Sequence, residues 1–546
     1  MEKRILRIPY RVFRACGRLV EKYTNKTTPD AEPWARDEHQ ISLIARTVSM
    51  DYLVTFVELV LGIFMLPFNT SHLGQSAYGL WVLAASITFY FSMLNLGYGY
   101  ALVKYVAEFR AHRDARSLNE VMSTMFFVFA GIGLIAFALA AVIALNLQNL
   151  FNVSADQVAT GRTVLLVISF YIALGFPFSV FGALMNGFQR KYLNGIIGMS
   201  TSILVAIVNV VVLLLGYGLV ELVIATTAVR ILSYFGYRLN AYRVFPALRV
   251  NAGYVRLSRL KELTGFSAYM MLIDLANKLN YATDTVVIGI FMNTLAVAIW
   301  AVAQRLIELT QRLTDQLNGA LFPVVVDSAT LGNVDRLKVV LLQGTRLSLA
   351  MVLPIATGLA LLAEPVVLLW VGPQFTASIP IIHILAAVVT FRVGNATATT
   401  LLKGAGHHRL LALSNLGIGV ANVALSVFLV RKYGLQGVAA GTLIPLSLVS
   451  IFVLFPAACR RAGISIAEAV VSGVWPAIWP AVCMAAFLAF SRKYFAPGFI
   501  ATVVQALSAG LLYAILFLSL AIGRTERNWY LAKLRQVIGR ERVPAA

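Results

Sequence analysis

The sequence predicts an all-α polytopic membrane protein of about fourteen transmembrane helices, and three observations carry that prediction. Of the 546 residues, 59% are apolar and only 13% charged, whereas a soluble domain sits nearer ~45–50% and ~25%. From residue 50 onward, apolar stretches of about 20 residues recur, each long enough to cross ~30 Å of hydrocarbon as a helix. The breaks between them alternate between cation-rich and cation-poor, as loops on the two sides of a membrane do. A single soluble core stops growing near ~250–300 residues, so the apolar excess has nowhere to go in water. Soluble enzymes, disordered scaffolds and disulfide-built secreted modules are thereby excluded.

Residues 1–49 hold ten Lys/Arg and no apolar run that would form a signal-peptide core, so no cleavage is expected. Ile5, Leu6, Ile8, Val12 and Phe13 alternate with five arginines there. That pattern fits either an amphipathic helix on the membrane surface or a disordered basic tail, with Pro9 interrupting it. The fourteen stretches lie near 50–69, 79–102, 120–145, 162–186, 193–215, 218–238, 264–291, 295–322, 343–370, 380–402, 410–430, 435–458, 469–490 and 499–522. Glycine breaks at 216–218 and 433–434 predict tight helical hairpins.

Charge sets the orientation. With the N-terminus in the cytoplasm, the cytoplasmic segments hold 35 Lys/Arg and the opposite breaks hold 5, the other 5 lying inside spans. Dropping one helix would invert every later loop, so this bias predicts an even span number and both termini cytoplasmic. It also accounts for the net charge of +21 without nucleic acid. No loop is long enough to be a folded domain, which counts against an enzyme. Cys16, Cys459 and Cys483 form neither a metal pattern nor a pairing framework.

One stretch recurs. Leu184–Gln189 precedes a span containing Asn209 and then Gly216–Leu219; Leu401–Gly406 precedes a span containing Asn422 and then Tyr433–Gly437. Spans 4–6 thus correspond in order to spans 10–12, a parallel six-helix repeat plus a terminal pair. The expected organisation is a basic N-terminal segment (1–49), a first lobe (50–240), a cytoplasmic linker (241–263), a second lobe (264–460), a terminal helix pair (461–523) and a basic tail (524–546). Two like lobes with a site between them suit alternating access. Pro177, Pro354, Pro365, Pro445, Pro476 and Pro480 fall within or near spans, where each removes a backbone hydrogen bond.

A charge at mid-bilayer costs roughly 2.5–3.5 kcal/mol even on gentle scales, so each in-span charge needs a reason. The cations are Arg230, Lys278, Arg305, Arg312 and Arg392; the acids are Glu58, Asp274, Asp284, Glu308, Asp315 and Glu364. Arg305, Glu308, Arg312 and Asp315 in span 8 share one helix face and rise about 15 Å. Asp274 and Lys278 in span 7 stand at i, i+4, with Asp284 beyond them. A stripe this polar cannot face lipid. It predicts a hydrated, charge-lined cavity, the alternative being ion pairs that lock spans 7 and 8 together. Guanidinium groups suit bidentate contact with phosphate, so an anionic phosphate or diphosphate head group fits the cations. The acids could tune that charge or bind a coupling ion. A phosphate-binding G-x-x-x-x-G-K-[ST], an H-E-x-x-H and an Asp-x-Asp are all absent. No catalytic residue, cofactor or metal site is expected; His407 and His408 read as loop residues and His383 as a core or cavity histidine.

Two segments carry a family resemblance. FNTSHLGQSAYGLWVLAASITFYFSMLNLG (68–97), with Leu73-Gly74, Tyr78-Gly79 and Leu96-Gly97 followed by Ala101 and Tyr105-Val106-Ala107, resembles the span 1–2 region of polysaccharide exporters. LLKGAGHHRLLALSNLGIGVANVALSVFLVRKYGLQGVAAGTLI (401–444) is similar to their second-lobe signature. The chain from about residue 45 resembles the polysaccharide-transport (Wzx-type O-antigen/exopolysaccharide flippase) branch of the multidrug/oligosaccharidyl-lipid/polysaccharide exporter superfamily. The resemblance implies a V-shaped pair of lobes in the bacterial inner membrane that moves a polyprenyl-diphosphate-linked oligosaccharide to the periplasmic leaflet. It further implies that Lys278, Arg305, Arg312, Arg392 and Arg230 meet the diphosphate. Membrane lipids and other polysaccharide-assembly proteins are the implied partners, with no nucleic acid. Proton or sodium coupling through Glu58, Asp274, Asp284, Glu308 or Asp315 stays open. The competing expectations are a multidrug or organic-cation antiporter of the same fold, and a membrane polysaccharide polymerase or ligase.

Overall fold

In the computed structural model, residues 40–264, 267, 271, 283–494, 498–523 and 527 are described. The sequence-predicted Asp274 and Lys278 lie outside them, as does the basic segment before Gln40. Asp315 is in a described helix, but its side chain is not among the described ones.

The described residues are helical, without a strand. In chain order the principal helices of the first half are α1 (Gln40–Leu73), α2 (Gln75–Phe91), α3 (Tyr98–Ala111), α4 (Ala115–Leu145), α5 (Val158–Gly187), α6 (Lys191–Leu214) and α7 (Leu219–Val244). The second half holds α8 (Thr283–Phe291), α9 (Thr294–Thr330), α10 (Val334–Leu361), α11 (Ala363–Trp370), α12 (Ile379–Gly394), α13 (Ala396–Gly404), α14 (His408–Val449), α15 (Phe455–Arg461), α16 (Trp475–Ser491) and α17 (Phe499–Leu516). Eleven of the described helical stretches are long and apolar enough to cross a membrane, which makes this a multi-pass membrane protein. The 37-residue α9 is longer than a bilayer requires, yet its polar stripe leaves it outside that set.

Several predicted spans are broken by identifiable residues. The stretch 79–102 is not one helix: Leu96 (φ 49°) and Gly97 (φ 76°) are left-handed, and the chain turns from α2 into α3 there. Asn95 Oδ1 accepts the Gly99 N–H at 3.0 Å to start the new helix. Span 380–402 divides at Asn395 and span 343–370 at Leu362. Helix α14 runs through both 410–430 and 435–458, and Gly434 (φ 57°, ψ −135°) is its non-helical point. The chain folds back at that glycine as a tight hairpin, since Asn422 donates to Thr442 across it at 2.9 Å.

Two of the prolines have partners for the carbonyls they leave free. Pro476 cannot donate to Ser472, and Arg346 Nε donates to that carbonyl instead at 3.0 Å. Pro67 likewise frees the Ile63 carbonyl, which accepts the Trp370 indole N–H at 2.8 Å. One substitution thereby ties α1 to α11 in the other half.

In the first half α5 packs along α3, α4 and α7, while α1 packs on α6. In the second, α10 packs against α9, α12 and α16, and α8 lies along α14. The halves meet where α2 lies on α9. Asp114 caps α4, its carboxylate accepting the Ser117 N–H at 2.9 Å, a contact worth about 1 kcal/mol. The Ser117 hydroxyl and backbone N–H hold this carboxyl below its ordinary range. The segment after α7 is strapped to the start of α4 rather than hanging free. Asn119 pairs with Ala247 and Arg249 backbone, Ser123 with Arg249 and Asn251, and Thr124 with Arg256. Arg259 then reaches the nearly buried Glu120 at 3.0 Å. These buried polar side chains are thus satisfied by the linker backbone.

Candidate functional site: a central arginine cavity

Helix α1 presents Glu58, Gly62, Met65 and Asn69 on one face, spaced 4, 3 and 4. Helix α9 presents Gln304, Arg305, Glu308 and Arg312 on the face opposite. Between them lies a continuous space, its two parts of about 560 and 580 Å³ sharing Gly62, Met65, Asn69, Trp81, Ala85, Phe89, Arg230 and Arg305. Arg312 and Glu58 line one part, Gln304 and Glu308 the other.

Each charged side chain is held by its neighbours. Arg312 Nη1 pairs with Glu58 Oε2, both side chains about 40% exposed to the cavity (41% and 40%). Arg305 Nη1 lies 3.4 Å from Glu308 Oε2. Gln304 donates to Glu308 Oε1 at 3.0 Å while its own Oε1 accepts the Trp300 indole N–H at 2.9 Å. That relay fixes the Glu308 carboxylate beside Arg305. Arg230 stands over the Tyr171 ring, 5.9 Å from its centroid.

Gly62 is the seat of Arg305: a Cβ at position 62 would overlap the guanidinium itself. Gly62→Ala is expected to displace Arg305 while leaving the backbone intact, because the overlapping atoms belong to the end of a flexible side chain. Binding of an anionic ligand in the cavity should fall roughly tenfold, with thermal stability in detergent within about 1 kcal/mol of wild type.

The structure gathers Arg230, Arg305, Arg312, Glu58 and Glu308 into this one cavity. It does not bring Arg392 there. Arg392 donates to Gln311 at 3.2 Å and lines a separate cavity of about 260 Å³ inside the second half, with Asn395, Asn422 and Thr442. Asp284 adjoins that second cavity. Its Oδ2 accepts from Thr442 at 3.0 Å, while its enclosed Oδ1 has no hydrogen-bond partner among the described residues. Among the remaining in-span or interfacial acids, Glu364 pairs with Arg492 at 2.9 Å, Asp51 with Lys191 at 2.7 Å, and Glu221 accepts the Gly218 N–H at 3.1 Å. None of these three faces the central cavity.

Sequence reasoning missed the uncharged part of the wall: Asn69, Trp81, Phe89 and, on α6, Asn209. The signal was present in the i, i+4, i+8 spacing of Trp81, Ala85 and Phe89, which continues the α2 face turned to α1.

Comparison with known proteins agrees with this architecture. Residues 72–380, more than half of the chain, match the family model described as polysaccharide biosynthesis protein. The probable flippase AglR of Haloferax volcanii is 23% identical over 419 residues, 75% of this chain and 82% of that protein. The uncharacterized membrane protein EpsK of Bacillus subtilis is 23% identical over 398 residues, 71% of this chain and 77% of that one. Among solved structures, the lipid II flippase MurJ in an inward closed conformation superposes with a TM-score of 0.65 at 14% identity, covering 90% of this chain and 99% of that one. An inward-facing multidrug resistance transporter of the MATE family gives 0.62 at 17%, covering 77% and 98%. At such identities the likeness is one of fold. The chain belongs to the polysaccharide biosynthesis protein family.

Proposed function

We propose that this protein is a flippase that moves a polyprenyl-diphosphate-linked oligosaccharide, an O-antigen, capsule or exopolysaccharide unit, across the bacterial inner membrane by alternating access. The observation that carries this reading is the convergence of Arg230, Arg305 and Arg312 from both halves on one cavity. Three guanidiniums against the two carboxylates of Glu58 and Glu308 leave the described lining net positive, and a diphosphate accepts their paired donors. The organic-cation antiporter fits less well: in the described lining three cations face the carboxylates of Glu58 and Glu308, and Arg312 occupies the first.

Fourteen spans, two six-helix lobes and cytoplasmic termini belong to the same proposal. The Gly434 hairpin supports the count. Asn209 and Asn422, both buried at matching places, support the repeat. Several hydrogen bonds between the halves lie toward the end where α1 finishes, which the loop charges assign to the periplasm: Trp370 to Ile63, Gln75 to Gln374 at 2.6 Å, Ser76 to Thr294 at 2.9 Å, Thr294 to Gln157 at 3.1 Å and Asn152 to Gly289 at 3.0 Å. Others lie deeper, Tyr90 with Thr283 at 2.7 Å and Arg312 with Glu58. Coupling to a proton or sodium ion is assigned to Asp284, where the unmet Oδ1 stands beside Thr442 and Asn422. Arg392 then acts on that acid rather than on the diphosphate.

The test is complementation. In a strain lacking its own transporter for the matching polysaccharide, the wild-type chain should restore surface polysaccharide. Without it, the lipid-linked precursor should accumulate on the cytoplasmic side. A well-expressed chain that leaves the precursor inside overturns the reading.

A further inference from the structure

The wall facing the arginines is of opposite hydrogen-bonding character. Asn69 on α1 and Asn209 on α6 line the cavity at 5% and 4% exposure, and neither Oδ1 has a partner among the described residues. Leaving a buried amide acceptor unmet is unfavourable, so both carbonyls call for a donor. Thr88 and Thr226, lining the same space, direct their hydroxyl protons to Ala85 and Leu222 of their own helices at 2.9 and 2.7 Å. What those hydroxyls offer the cavity is lone pairs. The unmet groups of this wall are therefore acceptors, where α9 brings the guanidinium donors. It also carries two aromatic side chains: Trp81 and Phe89 stand two turns apart on α2, about 12 Å along its axis, with the small Ala85 on the same face between them.

Anions gain nothing from an acceptor wall. Polyhydroxyl rings gain twice, through their O–H donors and through C–H faces laid on the aromatic rings. Resting on the flippase reading above, we propose that Asn69, Asn209 and Trp81 form a sugar subsite in which the pyranose attached directly to the diphosphate is held. A half-turn of each amide about its last torsion exchanges the enclosed Oδ1 with the nitrogen and brings an acceptor to a ring hydroxyl, while Arg305 and Arg312 hold the phosphates. The sugar is thus recognised by the first half and the charge by both, so cargo selection is separable from anchoring.

The test uses the full chain in lipid nanodiscs and two probes, undecaprenyl diphosphate and undecaprenyl-diphosphate-linked N-acetylglucosamine. Wild type should bind the sugar-bearing lipid about tenfold more tightly, since a site built around hydroxyls discriminates against a ligand lacking them. Asn69→Leu with Asn209→Leu should abolish that preference and leave the affinity for the bare diphosphate unchanged, which also shows that the variant is folded. Trp81→Ala should reduce the preference without touching the bare lipid. No preference in wild type, or a preference surviving the double substitution, overturns the subsite. Failure of the flippase reading has a different signature: neither lipid binds, while tetraphenylphosphonium binds and is lost in the same variants. That outcome identifies an organic-cation wall and removes the subsite with it.

Discussion

Arg312→Ala is expected to lower transport by roughly 10- to 100-fold, the effect of losing a charge-assisted contact of about 1.5–3 kcal/mol to phosphate. Its effect on stability should be far smaller. The Arg312–Glu58 pair is about 40% exposed to the cavity (41% and 40%), and exposed pairs contribute about 0–1 kcal/mol. The double substitution Glu58→Ala/Arg312→Ala separates the two roles. If the pair only locks α1 to α9, removing both partners relieves the stranded carboxylate and activity returns. If Arg312 binds the diphosphate, the double variant stays as inactive as Arg312→Ala. Glu58→Gln alone then keeps activity, because it frees the guanidinium rather than removing it. Surface polysaccharide and precursor accumulation, measured at matched protein levels, decide between these outcomes.

On the proposed mechanism the carboxylates of Glu58 and Glu308 hold the arginines when no substrate is present. A bare cluster of guanidiniums in the membrane would repel itself and draw in water. A carboxylate partner keeps each cation oriented, and a diphosphate with more charge displaces it. The interleaving of acids along α9 is therefore compatible with anionic cargo, although composition alone would read it as neutralising.

The stripe on α9 was legible because mid-membrane charge is unfavourable and helical spacing is regular. Arg305, Glu308 and Arg312 share a face by arithmetic, and the structure turns that face to α1. The cavity partners Glu58 and Arg230 were legible as in-span charges, but their meeting with α9 was not, since it depends on how two halves dock. Arg392 illustrates the limit. It satisfies the same one-dimensional criterion as Arg305, yet α12 carries it into a different cavity beside Gln311. Neutral amides left no trace of the same kind: Asn69 and Asn209 are tolerated in apolar spans without the penalty that flags a charge. Backbone breaks were legible where glycine made them, as at Gly434. They were not at Leu96–Gly97, where a left-handed leucine precedes the left-handed glycine inside an apolar stretch.

On the proposed alternating access, closure at the end where α1 finishes depends on the close approach at Gly79, and Gly79→Val is expected to undo it. A Cβ at position 79 would overlap the Thr294 carbonyl oxygen, a backbone atom at the start of α9, so α2 and α9 must separate to admit any side chain. Overpacking of this kind costs about 1–3 kcal/mol, enough to shift a two-state equilibrium roughly 5- to 150-fold away from the closed end. The neighbouring ties, Gln75 to Gln374 and the Trp370 indole on the carbonyl that Pro67 leaves free, cannot re-form while that gap persists. Cysteines placed at 75 and 374, in a chain lacking Cys16, Cys459 and Cys483, report the distance directly. A short thiol cross-linker should join them readily in the parent and about tenfold less in Gly79→Val. The same cross-link tests alternating access itself. Release toward this end requires the halves to part here, so the joined protein should stop exporting while the uncross-linked cysteine pair exports normally. Export at the wild-type rate through a fully cross-linked chain would mean that these ties never open, and that the substrate leaves by another route.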